Sequence, residues 1–432
     1  MRKFYALAIH GLLFLLRFSE SYGQTTIDAE FRPRSEFRQG FNQPLADGTK
    51  PAFLTLQRSR LNFNYKGGVG SARLTLQDAR VFGETDTKQP ATATSGSLGI
   101  YEAWAELLLY SGTSFKIGRQ GVQFEDGRLF SLSPWSNTGN AHDLAQFRYF
   151  ASGLDVQLGY AYNNQKAYNA DTSYYSVSKM YKQLVFLHIT KTIVNGLDLS
   201  VLGVDEGFMK GKADLDLYHR YTTGGTLQLK KDKLPLNIFA TGYYQYGKST
   251  PQVDLDAFLL AIKASYAFTD KIGGLAGADY YSGSESTLAA TKTNTFNKLP
   301  YGVNHSFNGY MEYWGALPKG GLINYFGGVN LKLSKKLNSE ITYYEFRLAE
   351  NMKSGTNDIS KNLGSELDLV LNYKFSAETA IQFAWCAYMV TDGTKMLKYK
   401  STDVETKFPQ YAYLMLTIKP QLYKTPVVAD SK

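Results

Sequence analysis

Cysteine and long apolar segments are almost missing from this sequence of 432 residues. Cys386 is the only cysteine, so no disulfide can form within the chain, and a disulfide-rich secreted domain is excluded. Beyond residue 23 no apolar run is long enough for a helix that spans a bilayer. Both absences favour a fold that is held together by extensive β-pairing.

Catalytic motifs are missing as well. The histidines of the mature chain are scattered, and neither G-x-S-x-G, nor H-E-x-x-H, nor a Cys/His metal-binding spacing occurs. His142-Asp143 has the residue types of half a catalytic pair, but no nucleophile can be matched to it. The sequence therefore predicts a protein that is not an enzyme and has no cofactor or metal. An outer-membrane hydrolase stays open as an alternative.

The N-terminus has the features of a targeting segment. Arg2 and Lys3 precede an apolar run, Phe4–Leu16, and the small residues Ser21 and Gly23 frame a cleavage site. We therefore predict a signal peptide over residues 1–23, a single barrel domain over residues 24–423 and a C-terminal tail over residues 424–432. No cysteine stands directly after the cleavage site, which excludes a lipoprotein anchor.

Aromatic residues are abundant, with 32 tyrosines and 26 phenylalanines. Tyrosine favours strands and membrane–water interfaces. The segment Leu56–Arg80 shows the recurring pattern: Arg58 and Arg60 alternate with Leu61 and Phe63, and the alternation resumes after a glycine-rich turn. Successive side chains of a strand point to opposite faces, so this hairpin has one apolar and one basic face. A soluble β-sandwich and a membrane barrel both produce this alternation.

The spacing of the connections favours the barrel. Short connections such as Lys66–Gly70 and Ser111–Ser114 alternate with long ones such as Gly121–Asp143, Glu206–Asp214 and Gly247–Asp254. Counted in this way, the chain has about eighteen strands. We therefore predict an all-β fold, a transmembrane antiparallel β-barrel in the cell outer membrane, with short periplasmic turns and long extracellular loops. An interior of this width should hold an aqueous channel rather than a core of side chains.

Arginines concentrate on the face that would line the lumen. The formal net charge is +9 at pH 7, and export from the cytoplasm argues against a nucleic-acid partner. A guanidinium stays charged and offers a planar fork that suits carboxylates and phosphates. The residues predicted to line the pore and select anions are Arg32, Arg34, Arg38, Arg58, Arg60, Arg73, Arg80, Arg119, Arg128 and Arg148. Their predicted acidic partners are Glu30, Glu36, Asp78, Glu102, Glu106 and Asp126. A lattice of ion pairs that only stiffens the wall is the alternative, against which the excess of arginine argues.

The longest predicted loop, Ser284–Gly321, is rich in aromatic residues. Loops of this length are usually functional or disordered, and this composition does not suit a solvated tether. We predict that it folds over or into the pore mouth and narrows it.

Several short motifs resemble the alginate export family of outer-membrane barrels. They are Gln57-Arg58-Ser59-Arg60, Leu76-Gln77-Asp78-Ala79-Arg80, Gly118-Arg119-Gln120, Asp126-Gly127-Arg128-Leu129 with Trp135, His142-Asp143, the segment from Asn304 to Glu312, and the segment from Leu363 to Asp368. The resemblance covers nearly the whole mature chain and implies an eighteen-stranded monomeric barrel with an arginine-rich pore for an acidic polysaccharide. Phe82 and Glu312 depart from the family pattern, and the chain continues past its last predicted strand.

The predicted function is thus an outer-membrane channel that passes anionic solutes. The resemblance implies export of an acidic, alginate-like polysaccharide, with outer-membrane lipid and periplasmic export components as further partners. An uptake porin for small anions or oligosaccharides is the alternative, because the family is diverse and membership fixes the architecture better than the solute.

Overall fold

The computed structural model describes residues 23–84, 98–167, 169–172, 181–211, 214–230, 234–303, 305 and 307–426. Most of the predicted signal peptide, residues 85–97, the end of the predicted tail, and Asn304 and Ser306 are among those outside the described residues. Cleavage after residue 23 therefore stays a prediction.

Strands dominate the described chain. In chain order they are β1 (Gln24–Gln39), β2 (Ala52–Lys66), β3 (Gly70–Val81), β4 (Gly99–Tyr110), β5 (Thr113–Gln120), β6 (His142–Ala151), β7 (Leu154–Tyr162), β8 (Gln183–Val194), β9 (Leu197–Met209), β10 (Leu217–Lys230), β11 (Leu236–Thr250), β12 (Val253–Ala267), β13 (Ile272–Tyr281), β14 (Lys292–Thr293), β15 (Leu322–Lys332), β16 (Leu337–Arg347), β17 (Met352–Ser354), β18 (Asn357–Ile359), β19 (Asn362–Lys374), β20 (Thr379–Met389), β21 (Gln410–Ile418) and β22 (Gln421–Lys424). One α-helix in the described residues, α1 (Asp392–Tyr399), lies between β20 and β21. No helix in the described part of the chain is long and apolar enough to cross a membrane.

Eighteen of these strands form a closed antiparallel barrel, which confirms the predicted fold class. They are β1 to β13, β15, β16, β19, β20 and β21. Each pairs with its neighbour along the chain, and β1 closes the wall by pairing with both β2 and β21. β22 continues the last strand beside β1, whereas β17 and β18 form a separate hairpin.

Short turns and long loops alternate between the two ends of the barrel, which we call the turn end and the loop end. Short turns link, for example, β2 to β3, β4 to β5 and β6 to β7 at the turn end. The predicted long loop Gly247–Asp254 is wrong, because β11 and β12 continue pairing until only residues 251 and 252 separate them. The predicted loop Glu206–Asp214 is likewise shorter, since β9 extends to Met209.

The outer face of the wall is apolar. Leu260, Ile262 and Leu414 are 55%, 53% and 55% exposed, while their sequence neighbours Leu259 and Tyr413 are buried inside the barrel. Such a surface would be unstable in water and is the surface that a lipid bilayer stabilises.

The lumen holds a core of side chains, which corrects the prediction of a simple aqueous channel. Two loops enter it from the loop end: loop A, residues 121–141, and loop B, the described residues 282–303, 305 and 307–321. Phe130 of loop A and Trp314 of loop B are almost completely buried, and both belong to one apolar cluster with wall residues such as Phe186. The prediction that the long aromatic loop folds into the barrel and narrows it is confirmed.

Candidate functional site

Buried arginines of β1 and β2 hold loop A in place. Arg32, Arg34 and Arg58 are between 3% and 5% exposed, although they lie on the lumen face. Arg32 donates to the backbone carbonyls of Pro134, Trp135 and Ser136, the last at 2.8 Å. Arg34 donates to the Trp135 carbonyl at 2.7 Å, and Arg58 to the Ser136 carbonyl at 2.9 Å. Charged groups can be buried here because carbonyl oxygens replace the water that they lose.

Acidic residues on the same strands orient these arginines. Glu36 accepts from Arg34 Nε at 2.6 Å and from Arg38 Nε at 2.7 Å. Glu30 accepts from Arg58 Nε at 2.7 Å. Arg34, Arg38 and Arg58, which were predicted to line the pore, therefore also form ion pairs of the kind that the alternative interpretation predicted.

Arg60, two residues nearer the turn end than Arg58, extends the same arrangement. Its Nε donates to Gln77 at 2.7 Å, its guanidinium lies 3.7 Å from the ring centre of Tyr101, and its Nη2 reaches the Thr138 carbonyl at 3.2 Å. Loop A is thus fastened along its backbone from Pro134 to Thr138 by four arginines.

Loops A and B meet at an aromatic stack. The Trp135 ring lies 3.9 Å from the His305 ring at an interplanar angle of 4°, and Arg34 covers the Trp135 ring at 3.7 Å. His305 Nδ1 is 3.0 Å from Glu312 Oε1. Burial lowers the pKa of His305, although Glu312 acts in the opposite direction.

A second group of charges joins loop A to the opposite wall. Arg128 is buried and donates to Asp126 at 2.8 Å and to Asp279 of β13 at 3.3 Å. Burial acts to lower the pKa of Arg128, but the two carboxylates outweigh it and raise the pKa. The guanidinium also stands 4.4 Å from the ring centre of Phe307 in loop B.

Loop B is held by acidic residues of β19. Glu366 Oε1 accepts the Met311 N–H at 2.7 Å, and Asp368 Oδ2 accepts the Tyr310 N–H at 3.1 Å. Cys386 of β20 lies opposite Asp368, and ligand-type atoms of these three side chains lie within 4.8 Å of one another. Because each carboxylate already binds a loop amide, the arrangement fits a loop anchor.

Open charges remain nearer the turn end. Arg73 pairs with Glu102 at 2.9 Å and Arg148 with Asp155 at 2.6 Å, and both arginines keep a third or more of their side chains exposed. Lys116 lies 3.8 Å from the ring centre of Trp104. Lys116, Arg148 and Glu106 line a polar cavity of about 210 Å³ beneath loop A.

Two arginines predicted to line the pore, Arg80 and Arg119, and the predicted acidic partner Asp78 lie on the outer face instead. Asp78 and Arg80 pair in register with Ser59 and Gln57, whereas the lumen-facing Arg58 lies opposite Ala79. The register of β3 against β2 therefore directs both charges away from the lumen, where they bind each other at 2.7 Å.

Arg119 also points outward. It lies opposite Asp143 of β6 and pairs with it at 2.9 Å, while its neighbours Lys116 and Gln120 face inward. His142 is buried inside with its Nδ1 2.7 Å from the Tyr181 hydroxyl, so His142 and Asp143 are on opposite faces and do not form a catalytic pair.

Several lumen residues were not predicted as part of a site. Lys116, Asp279, Glu366 and Asp368 are isolated charges on strand faces, and only the alternation with apolar neighbours indicates that they point inward. The partners of Asp279, Glu366 and Asp368 include backbone atoms or loop residues far away in sequence. No spacing rule could have identified those partners.

Comparison with solved structures supports the fold. The chain is similar to Acinetobacter baumannii OccAB4, with a TM-score of 0.61 at 14% identity, covering 93% of this chain and 99% of that one. Pseudomonas aeruginosa OpdL gives a TM-score of 0.61 at 13% identity, covering 92% and 99%. Pseudomonas aeruginosa OccK5 (OpdH) gives 0.57 at 9% identity, covering 93% and 98%. At these identities the similarity shows the barrel fold alone.

Neither a protein-family model nor a curated protein matches the sequence. The resemblance to the alginate export family therefore rests on its short motifs and stays a prediction. The solved structures that share the fold carry Occ and Opd names instead.

Proposed function

We propose that this chain is an outer-membrane channel for the uptake of small anionic solutes. The observation that carries the proposal is the insertion of loops A and B into an eighteen-stranded barrel, which would otherwise be wide enough for a large aqueous pore. Beneath the loops, cavities of about 210 and about 350 Å³ remain. Spaces of this size suit small solutes.

The membrane orientation follows from the same proposal. The apolar outer face would contact outer-membrane lipid, the turn end would face the periplasm, and the loop end would face outward. Loops A and B would then meet a solute first, and the open cations near the turn end would meet it afterwards.

Export of an acidic polysaccharide fits the structure less well. A polymer in transit needs one continuous wide path, whereas loops A and B cross the lumen and are fastened to both walls. The buried arginines are also engaged with loop A. Anion preference would therefore depend on Arg148, which is exposed, and on Arg73 and Lys116, which are half-buried, because charges that line a pore determine its ion preference.

The test is ion selectivity in planar bilayers. Replacing Lys116 and Arg148 together by glutamine should lower the anion/cation permeability ratio, measured as the reversal potential in a salt gradient, by about threefold or more. Arg119→Gln is the matched control, because it removes an arginine from the outer face and should leave the ratio unchanged. If the double variant keeps the wild-type ratio, or if the wild type shows no conductance, the proposal fails.

A further inference from the structure

A cavity on the C-terminal wall differs from the basic side of the lumen. It has a volume of about 350 Å³ and lies beneath loops A and B between β11 and β16. Aromatic rings from the wall and from loop B form much of its lining, among them Phe239, Phe326, Tyr344 and Phe307. The cavity lies on the path that a solute would take past loop B.

Two of the rings form a platform. The ring centres of Phe326 and Tyr344, on neighbouring strands, are 6.0 Å apart. A Cβ atom at Gly277 would stand only 2.4 Å from Phe326 Cζ, so the missing side chain is what lets the phenyl ring lie across the backbone of β13. The ring therefore lies against the wall and leaves its other side to the cavity.

Polar groups without partners face the same space. Glu340 and Lys263 line the cavity, and neither side chain makes an ion pair or a hydrogen bond within the described part of the chain. Thr342 is 4% exposed, and its hydroxyl is buried without a hydrogen-bond partner. Buried polar groups are normally satisfied, so the unpaired Thr342 hydroxyl, with the half-buried Glu340 and the exposed Lys263 beside it, indicates a site that a polar molecule completes.

We propose that this cavity binds the ring of an uncharged hexose-type sugar. The apolar C–H face of such a ring would pack on Phe326 and Tyr344, while its hydroxyl groups would donate to Glu340 and accept from Lys263. The opposite charges of Glu340 and Lys263 balance each other, which favours a neutral polyol over an ion. Asp126 and Asp279 are both already engaged with Arg128. This inference rests on the proposed function only in assuming that solutes reach the lumen.

Binding can be measured without transport. We expect D-glucose to show saturable binding to the folded full-length mature chain in detergent, on the order of millimolar, in a saturation-transfer NMR titration. Phe326→Ala should weaken binding about tenfold, since it removes half of the platform, and Glu340→Gln should weaken it severalfold. Phe326→Tyr should retain binding.

The control is the neighbouring aromatic residue. Tyr325 lies on the outer face of the same strand and is 48% exposed, so Tyr325→Ala should leave glucose binding unchanged. Cyclohexanol, a ring of similar size with one hydroxyl, should bind more weakly than glucose. Absence of saturable glucose binding, equal loss in Tyr325→Ala, or equal binding of cyclohexanol would overturn the inference. Glucose binding without channel conductance would instead contradict only the proposed function.

Discussion

The two walls of the lumen hold their loops by opposite chemistry. On β1 and β2, arginines donate hydrogen bonds to the carbonyl oxygens of loop A. On β19, Glu366 and Asp368 accept hydrogen bonds from the amides of loop B. In each case a charged side chain of a rigid strand binds the polar backbone of a loop that enters an otherwise apolar interior.

The difference lies in how each charge is compensated. Glu36 binds Arg34 and Glu30 binds Arg58, so part of the positive charge of this wall is balanced by carboxylates. Glu366 and Asp368 have no basic partner among the described residues and depend on the loop amides. The buried charged residues on these strands therefore serve mainly to hold loops A and B in place. Only the charges left exposed near the turn end are available to a solute.

Removing an arginine that holds loop A should have the largest effect on the free energy of unfolding. Arg58→Met removes the main partner of Glu30 and two donors to loop A, and loss of one member of a buried ion pair costs roughly 3–5 kcal/mol. We expect the low end, about 3 kcal/mol, because Lys419 stays 3.2 Å from Glu30. Urea titration followed by tryptophan fluorescence should show the loss, and single-channel conductance should rise as loop A leaves the lumen.

Arg119→Met is the control for this experiment. Arg119 and Asp143 form a pair on the outer face with 41% and 63% exposed side chains, and such pairs contribute about 1 kcal/mol or less. Equal effects of the two substitutions would show that the buried arginines do not fasten loop A.

Removing a carboxylate that holds loop B should have a smaller effect on the free energy of unfolding. Glu366→Leu leaves the Met311 amide buried without an acceptor, which costs about 1–3 kcal/mol. Glu366→Gln keeps an acceptor oxygen and should cost less. The same urea titration compares them, and protease cleavage within loop B should become faster in the leucine variant only. Cleavage at equal rates in both variants would contradict the role of the carboxylate.

Alternation along the strands made the barrel predictable. The patterns around Leu61 and Leu260 repeat through the chain, and an eighteen-stranded wall follows from pairing each strand with the next. The buried aromatic residues of loop B were also predictable, because a solvated loop would not carry Trp314 and Phe296.

The contacts inside the lumen were not predictable. Arg80 and Arg119 lie near lumen-facing arginines in sequence, but the strand register places them outside. Arg32 and Glu366 bind backbone atoms of distant loops, and backbone groups leave no residue pattern to recognise. Sequence could therefore indicate where charges concentrate, but the paths of loops A and B determine which of them a solute can reach.

The contact between the loops should respond weakly to pH. His305 packs on Trp135 and faces Arg34, Glu36 and Glu312, and its burial lowers its pKa below the ordinary value of 6.5. A released loop B would bind a proton below about pH 6.5, whereas the docked loop would not until a lower pH. Docking of loop B is thus most stable above about pH 6.5, and it weakens as the pH falls from there towards the lowered pKa of His305.

We expect this pH effect to be the smallest of the three, because Glu312 offsets part of the effect of burial on the His305 pKa. Protease cleavage of loop B should be faster at about pH 5.5 than at about pH 7.5, and His305→Gln should remove most of that difference. The glutamine keeps a polar side chain beside Glu312 but cannot take up a proton in this range. If the variant keeps the full pH dependence, the carboxylates Glu366 and Asp368 control the release of loop B, and the aromatic contact between the loops only fills space.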